Sequence, residues 1–235
     1  MKNSQLVATI TGLVAVLSSG VAMAAATPLF NFDKEVQYAP PSFGTSVGTA
    51  LVDDGSLTGA MISPPNRHLL LDTQGTSSLA GLKGAYVFPA APASISYFQL
   101  GFTVAAPTTF YFYYNFLTST APGDGDFFVG ALFNAINTQT LLFSERSSTA
   151  TRDSSSGYLY ETGTRYREFT VGAGSYTAEF VVGTNQQGCL NFGLCIPTAG
   201  LLNYVPEPTS MALVSLALLG IASPWARRKV MLSPA

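Results

Sequence analysis

The run Thr108–Thr118, TTFYFYYNFLT, constrains the fold more than any other stretch of the sequence. Successive side chains of a strand point to opposite faces. Phe110, Phe112, Tyr114 and Phe116 therefore share one face, and Tyr111, Tyr113, Asn115 and Leu117 share the other. With rings on both sides, one face enters a core and the other is either covered by a second layer or left partly open. At ~25 cal/mol per Å2 of apolar surface, burying two such rings outweighs any single surface ion pair several-fold. A second strand signal, Ser94–Val104, precedes this run across the turn Ala105-Ala106-Pro107.

Elsewhere between residues 27 and 204, Phe, Tyr, Val and Thr recur in short runs divided by Gly, Pro, Asn and Asp, with little helical periodicity. Strands are expected at Leu29–Phe32, Val47–Val52, Leu57–Ile62, His68–Asp72, Phe127–Phe133, Thr138–Ser144, Tyr158–Glu161, Arg165–Val171 and Ser175–Val182. In the last of these Tyr176, Ala178, Phe180 and Val182 face inward, and Thr177 and Glu179 face outward. The Ser/Thr-rich stretch Arg146–Gly157 reads as a mobile loop. Evenly spaced short strands with turn signals between them predict an all-β chain, a single jelly-roll-like β-sandwich.

Both ends of the chain carry address features. Met1–Ala26 has a basic start at Lys2, an apolar run Leu6–Leu17 and small residues at Ala22–Ala26, the pattern of a secretory signal peptide cut after Ala24 or Ala26. At the other end, Val205-Pro206-Glu207-Pro208 is followed by an apolar stretch and then Arg227-Arg228-Lys229. The prolines keep the rim extended and unpaired. Thr209–Ala226 is about 18 residues, at the short end of the ~17–25 that span a bilayer. The basic cluster stays on the cytoplasmic side and places the body on the other side of the membrane.

This order, over residues 205–235, resembles the PEP-CTERM sorting signal of Gram-negative bacteria, which is read by an exosortase, a membrane transpeptidase-like enzyme. The resemblance implies an exported protein cleaved at the Pro-Glu-Pro rim, with the exosortase and the membrane as partners. FYFYYNFLTS, GDGDFFVGALFN and GSYTAEFVVG are in turn similar to the β-sandwich ectodomains of the choice-of-anchor kind found ahead of such tails. That similarity implies a protein of the cell surface or biofilm matrix with no shared reaction.

The body holds twelve Asp and Glu against seven Lys and Arg, a net charge of −5. It therefore lacks the basic footprint that nucleic acid requires. Cys189 and Cys195 are the only cysteines. In an oxidising compartment they are expected to bond to each other. The loop is short, so the stabilisation is only about 2 kcal/mol.

Signals for catalysis are sparse. His68 is the only histidine and no Gly-x-Ser-x-Gly elbow accompanies it. The acids cannot be placed across a cleft from the sequence. Asp124-Gly125-Asp126 could turn two carboxylates toward a calcium ion, or form a glycine turn between strands. Tyr111, Tyr113 and Asn115 could stack and hold a sugar, or pack beneath a second layer. The expectation is a non-enzymatic exported protein of the cell surface or exopolysaccharide matrix. The alternatives are a carbohydrate-binding module or a polysaccharide hydrolase.

Overall fold

Period-two patterning is realised as two β-sheets packed face to face. The computed structural model describes residues 26–32, 34–54, 57, 67–73, 79–86, 88, 91–120, 125–152, 158–185 and 198–203. In chain order the strands are β1 (Thr27–Pro28), β2 (Thr45–Val47), β3 (Thr49–Asp53), β4 (His68–Asp72), β5 (Ser94–Val104), β6 (Thr108–Thr118), β7 (Phe127–Asn134) and β8 (Gln139–Arg146). They continue with β9 (Thr151–Arg152), β10 (Tyr160–Glu161), β11 (Arg165–Val171), β12 (Gly174–Thr184) and β13 (Ala199–Asn203). The first sheet runs β3-β4-β13-β6-β10-β9, with β1 and β11 also paired to β6, and the second runs β2-β5-β12-β7-β8.

Strand β6 is the spine of the first sheet. Phe112, Tyr114 and Phe116 enter the space between the sheets, where Phe30, Phe98, Phe128, Phe143 and Phe180 meet them. The Phe112 ring meets the edge of Phe180 at 5.4 Å, which is the favoured offset of ring quadrupoles. The opposite face of β6 packs Leu117 and Tyr113 against Leu70, Tyr158, Ala199 and Leu201. The second face of this strand thus carries a smaller apolar cluster, built largely from neighbouring strands of the same sheet.

Two glycines direct the chain where the sequence pattern alone does not. The expected single strand Val47–Val52 is divided at Gly48, whose φ of 78° suits a residue without Cβ. On its N-terminal side β2 pairs with β5 in the second sheet, and on its C-terminal side β3 pairs with β4 in the first, so Gly48 is where the chain changes layers. At Gly130 an added Cβ would lie 2.3 Å from Phe143 Cε1. The ring of Phe143 crosses the β7 backbone there, and a β-bulge between Gly130 and Ala131 shifts the β7–β8 register. Through this bulge both Leu142 and Phe143 pack on the core.

Other expectations are corrected in detail. Leu29–Phe32 is not a strand, because after β1 the chain bends and buries Phe30 and Phe32. Leu57 lies in a turn, and the remainder of that expected strand falls outside the described residues. The first part of the stretch expected as a loop opens as a 3-10 turn, Ser147–Thr149, and then forms β9 against β10, while residues 153–157 fall outside the described residues.

One flank of β6 carries two strands end to end. β13 runs antiparallel beside Leu117 to Tyr113, and β1 runs parallel beside Phe110 and Tyr111. Both point toward the gap between them. Asn203 and Thr27 pair with Tyr113 and Phe110, three positions apart, so they lie about 10 Å apart along the strand.

Candidate functional site

Five carboxylates are buried among the described residues, and three of them, Asp126, Glu145 and Glu179, tie separate segments together. Asp126, at 0% exposure, receives hydroxyl hydrogen bonds from Thr118 at 2.7 Å, Thr120 at 2.6 Å, Thr184 at 2.6 Å and Thr198. Both of its oxygens are engaged inward. Asp124, its expected companion in a calcium site, lies outside the described residues, and among the described residues no three metal-ligating side chains converge.

Glu145 of β8 accepts from the Tyr114 hydroxyl at 2.7 Å, from Arg165 Nη1 at 2.7 Å and from Thr149 Oγ1 at 2.9 Å. It thereby links the two sheets across their β8–β11 side. Burial, followed by the hydrogen bond and charge of Glu145, pushes the Tyr114 phenol up to about 12.

Glu179 points outward from β12, as its alternation requires, yet it is buried. The segment 79–86 crosses over it as a strap. Lys83 N donates to Glu179 Oε2 at 3.0 Å, Tyr86 Oη donates to Oε1 at 2.6 Å, and Gln99 Nε2 also donates to Oε2. Burial, then the hydrogen bond to Glu179 and its charge, raises the Tyr86 phenol far above its ordinary value. Sequence alternation gives the direction of Glu179 but not the cover, because the strap arrives from a segment without strand pattern.

His68 Nε2 lies 3.4 Å from Asp53 Oδ2 across the β3–β4 pair, and both residues are buried. Burial raises the Asp53 carboxyl. The His68 imidazole and the amides of Leu57 and Asp54 more than offset this and leave it below the usual value.

The stacking surface expected at Tyr111, Tyr113 and Asn115 is largely closed. Tyr111 is 4% exposed and Asn115 2%. Tyr166, opposite Tyr113 on the neighbouring β11, stands beside both tyrosines, with ring centroids 6.0 Å from Tyr111 and 5.3 Å from Tyr113, while Tyr113 itself stays half-buried. The Asn115 amide donates to Glu161 Oε2 at 3.0 Å and accepts from Thr162 Oγ1 at 3.2 Å, so it braces β10 rather than meeting a ligand. Cys189 and Cys195 lie outside the described residues.

An open site lies on the other sheet. A groove of about 410 Å3 runs along the outer face of the β7–β8 hairpin, walled by the end of the strap and Phe88. Its aromatic lining is Tyr86, Phe88 and Phe127, and its polar lining is Gln139, Ser144 and Arg146. Phe88 packs on Phe127 at 4.7 Å and Tyr86 on Phe88 at 5.9 Å. Sequence reasoning missed this groove because its strap residues show no periodicity and its floor residues read only as ordinary strand.

Residues 205–229 match the family model of the PEP-CTERM protein-sorting motif. The chain carries a PEP-CTERM sorting signal. The PEP-CTERM signal marks an exported protein, trafficked through a Gram-negative cell envelope and recognised by an exosortase. The apolar stretch expected to span the membrane and the basic cluster lie outside the described residues, and among the described residues no helix is long and apolar enough to cross a membrane. No curated protein matches the chain.

Among solved structures, an exo-β-1,3-galactanase from Phanerochaete chrysosporium with β-1,3-galactotriose is similar at 12% identity and a TM-score of 0.25, over 69% of this chain and 29% of that one. An endo-1,4-β-D-xylanase from Clostridium thermocellum with xylohexaose is similar at 9% identity and a TM-score of 0.28, over 74% and 28%. This chain spans less than a third of either structure. A likeness at those TM-scores bears on neither ligand nor reaction.

Proposed function

We propose that the protein is a non-enzymatic component of the cell surface or exopolysaccharide matrix, held at the membrane by its C-terminal stretch until an exosortase cuts at Pro206-Glu207-Pro208. The observation that carries this reading is the position of the PEP-CTERM motif directly behind the folded body. β13 ends at Asn203 and the motif begins at Val205. From Asn203 to Thr209, where the apolar stretch begins, the chain reaches no more than about 21 Å when fully extended. The body therefore rests beside the outer membrane boundary until the rim is cut, and cleavage frees it as one folded unit.

The buried ionisable groups favour a structural part over a catalytic one. Asp126, Glu145 and Glu179 are saturated by hydroxyl, amide and guanidinium donors, and His68 is closed in against Asp53. Catalytic acids and bases need access to a substrate proton, and these groups are all shut off from solvent.

The test is replacement of Pro206-Glu207-Pro208 by three alanines. Export continues, because the N-terminal signal is untouched, and a longer membrane-bound form accumulates. C-terminal peptide mapping of wild-type protein from the cell surface then decides the matter: recovery of Trp225 and the basic cluster in that fraction sinks the processing reading. Release of reducing ends from polysaccharide by the purified protein, abolished by one carboxylate substitution, would make it a hydrolase instead.

A further inference from the structure

We infer that the groove on the outer face of the second sheet binds an acidic polysaccharide, a linear polymer bearing uronate carboxylates. The choice of a polysaccharide rests on the proposed matrix role, while the groove and its charge come from the structure.

Shape limits the occupant first. The polar lining on β8 runs from Gln139 to Arg146, about 20 Å of strand. A volume of about 410 Å3 spread over that length suits a segment of chain rather than a compact cofactor.

Chemistry limits it next. Tyr86 and Phe88 are half-buried, and the Tyr86 hydroxyl is fixed on Glu179, so its ring is held in place before any ligand arrives. Fixed rings of this kind accept the C–H faces of sugar rings. The Gln139 amide and Ser144 hydroxyl, both exposed, match sugar hydroxyls as donors and acceptors.

Charge selects the class of sugar. The body is acidic overall, yet the strands of the second sheet contain only two carboxylates, Glu145 and Glu179, and both are buried. Among the described residues, the exposed charges on the strands of this sheet and on the strap are Arg146, in the groove, and Lys83. Arg146 has no ion-pair partner among the described residues, and its planar guanidinium suits a carboxylate held by two parallel hydrogen bonds. A nucleic acid would need several cations in line to meet its closely spaced phosphates. One guanidinium among neutral groups instead fits carboxylates carried on sugar rings.

The experiment is affinity gel electrophoresis of the processed protein recovered from its producing cells, through gels containing polygalacturonate, neutral dextran or single-stranded DNA. Polygalacturonate retards the protein and the other two polymers do not. Arg146→Gln weakens the retardation about tenfold, with the melting temperature unchanged. Leu141→Lys, at a groove residue 56% exposed, adds a cation and strengthens it. No retardation, equal retardation by dextran or DNA, or retardation indifferent to Arg146→Gln would each overturn the inference. Peptide mapping of the same sample shows whether the tail was cut, so failure of the groove and failure of the sorting reading are told apart.

Discussion

Phe143 lies flat on Tyr114, with ring centroids 4.0 Å apart and planes inclined by 13°. The two rings belong to different sheets, and the phenol of the same tyrosine donates to Glu145 on the strand that carries Phe143. One residue thus joins the layers by an apolar contact and a hydrogen bond together. Phe143→Ala should cost about 3–5 kcal/mol through lost burial and the cavity opposite Gly130, read from urea unfolding. Tyr114→Phe keeps the stack and loses only the hydrogen bond, at about 1–2 kcal/mol.

Alkaline pH tests the same tyrosine. Its folded pKa of about 12 stands above the ordinary 10.0. The contribution is complete below pH 10 and is lost as pH rises through the folded value. Wild-type stability should fall across that window, and Tyr114→Phe should show a shallower fall. Equal slopes would remove the tyrosine from the account.

Acid pH tests Asp53. Its carboxyl titrates below the ordinary 3.8, so its contribution is present above that value and disappears as pH drops through the folded one. Asp53→Asn should be less stable at neutral pH and should converge with wild type in acid, as followed by thermal melts over a pH series.

The four threonines around Asp126 predict indifference to chelators. Both oxygens already accept hydrogen bonds from hydroxyls, so a chelator should leave the melting temperature unchanged. Asp126→Asn should lower stability by about 1–3 kcal/mol, because the amide places a donor against hydroxyls turned to donate. A melting temperature that falls on chelation and recovers with calcium would place a cation at Asp126 and overturn this prediction.

Glu179→Gln should loosen the strap without unfolding the sandwich. The substituted amide could still accept from one donor, but the charge that holds Lys83 N and the Tyr86 hydroxyl is gone. Hydrogen exchange at residues 83–86 should quicken while β12 stays protected. Uniform loss of protection would mean that the strap and the sheet open together.

Much of the architecture was legible because aromatic alternation is a local signal. β6 is found over the run expected for it, and β5, β11 and β12 fall within two residues of their expected limits. The change of layers at Gly48 was not legible, since a strand crossing between sheets keeps its alternation and only the backbone angle reveals the break. The same limit hid the site. For Tyr111 and Asn115 the sequence left sugar stacking and packing both open, because nothing in their own stretch announces Tyr166 or Glu161 from far along the chain. Glu179 looked like solvent-facing surface because its cover comes from residues 79–86. Local sequence states which way a side chain points, while the partner that meets it is set by tertiary pairing.

The position of β13 has a mechanical meaning. The strand that leads to the sorting tail is hydrogen-bonded on both sides, to β4 and to β6. Tension on the tail along the strand axis loads both ladders in shear, so their bonds share the force instead of opening one after another. A tail leaving from an edge strand would peel. Should the cut end be joined to a fixed surface, drag on the body would pass straight into the middle of the first sheet, and the groove, on the far sheet, would stay outside the line of force.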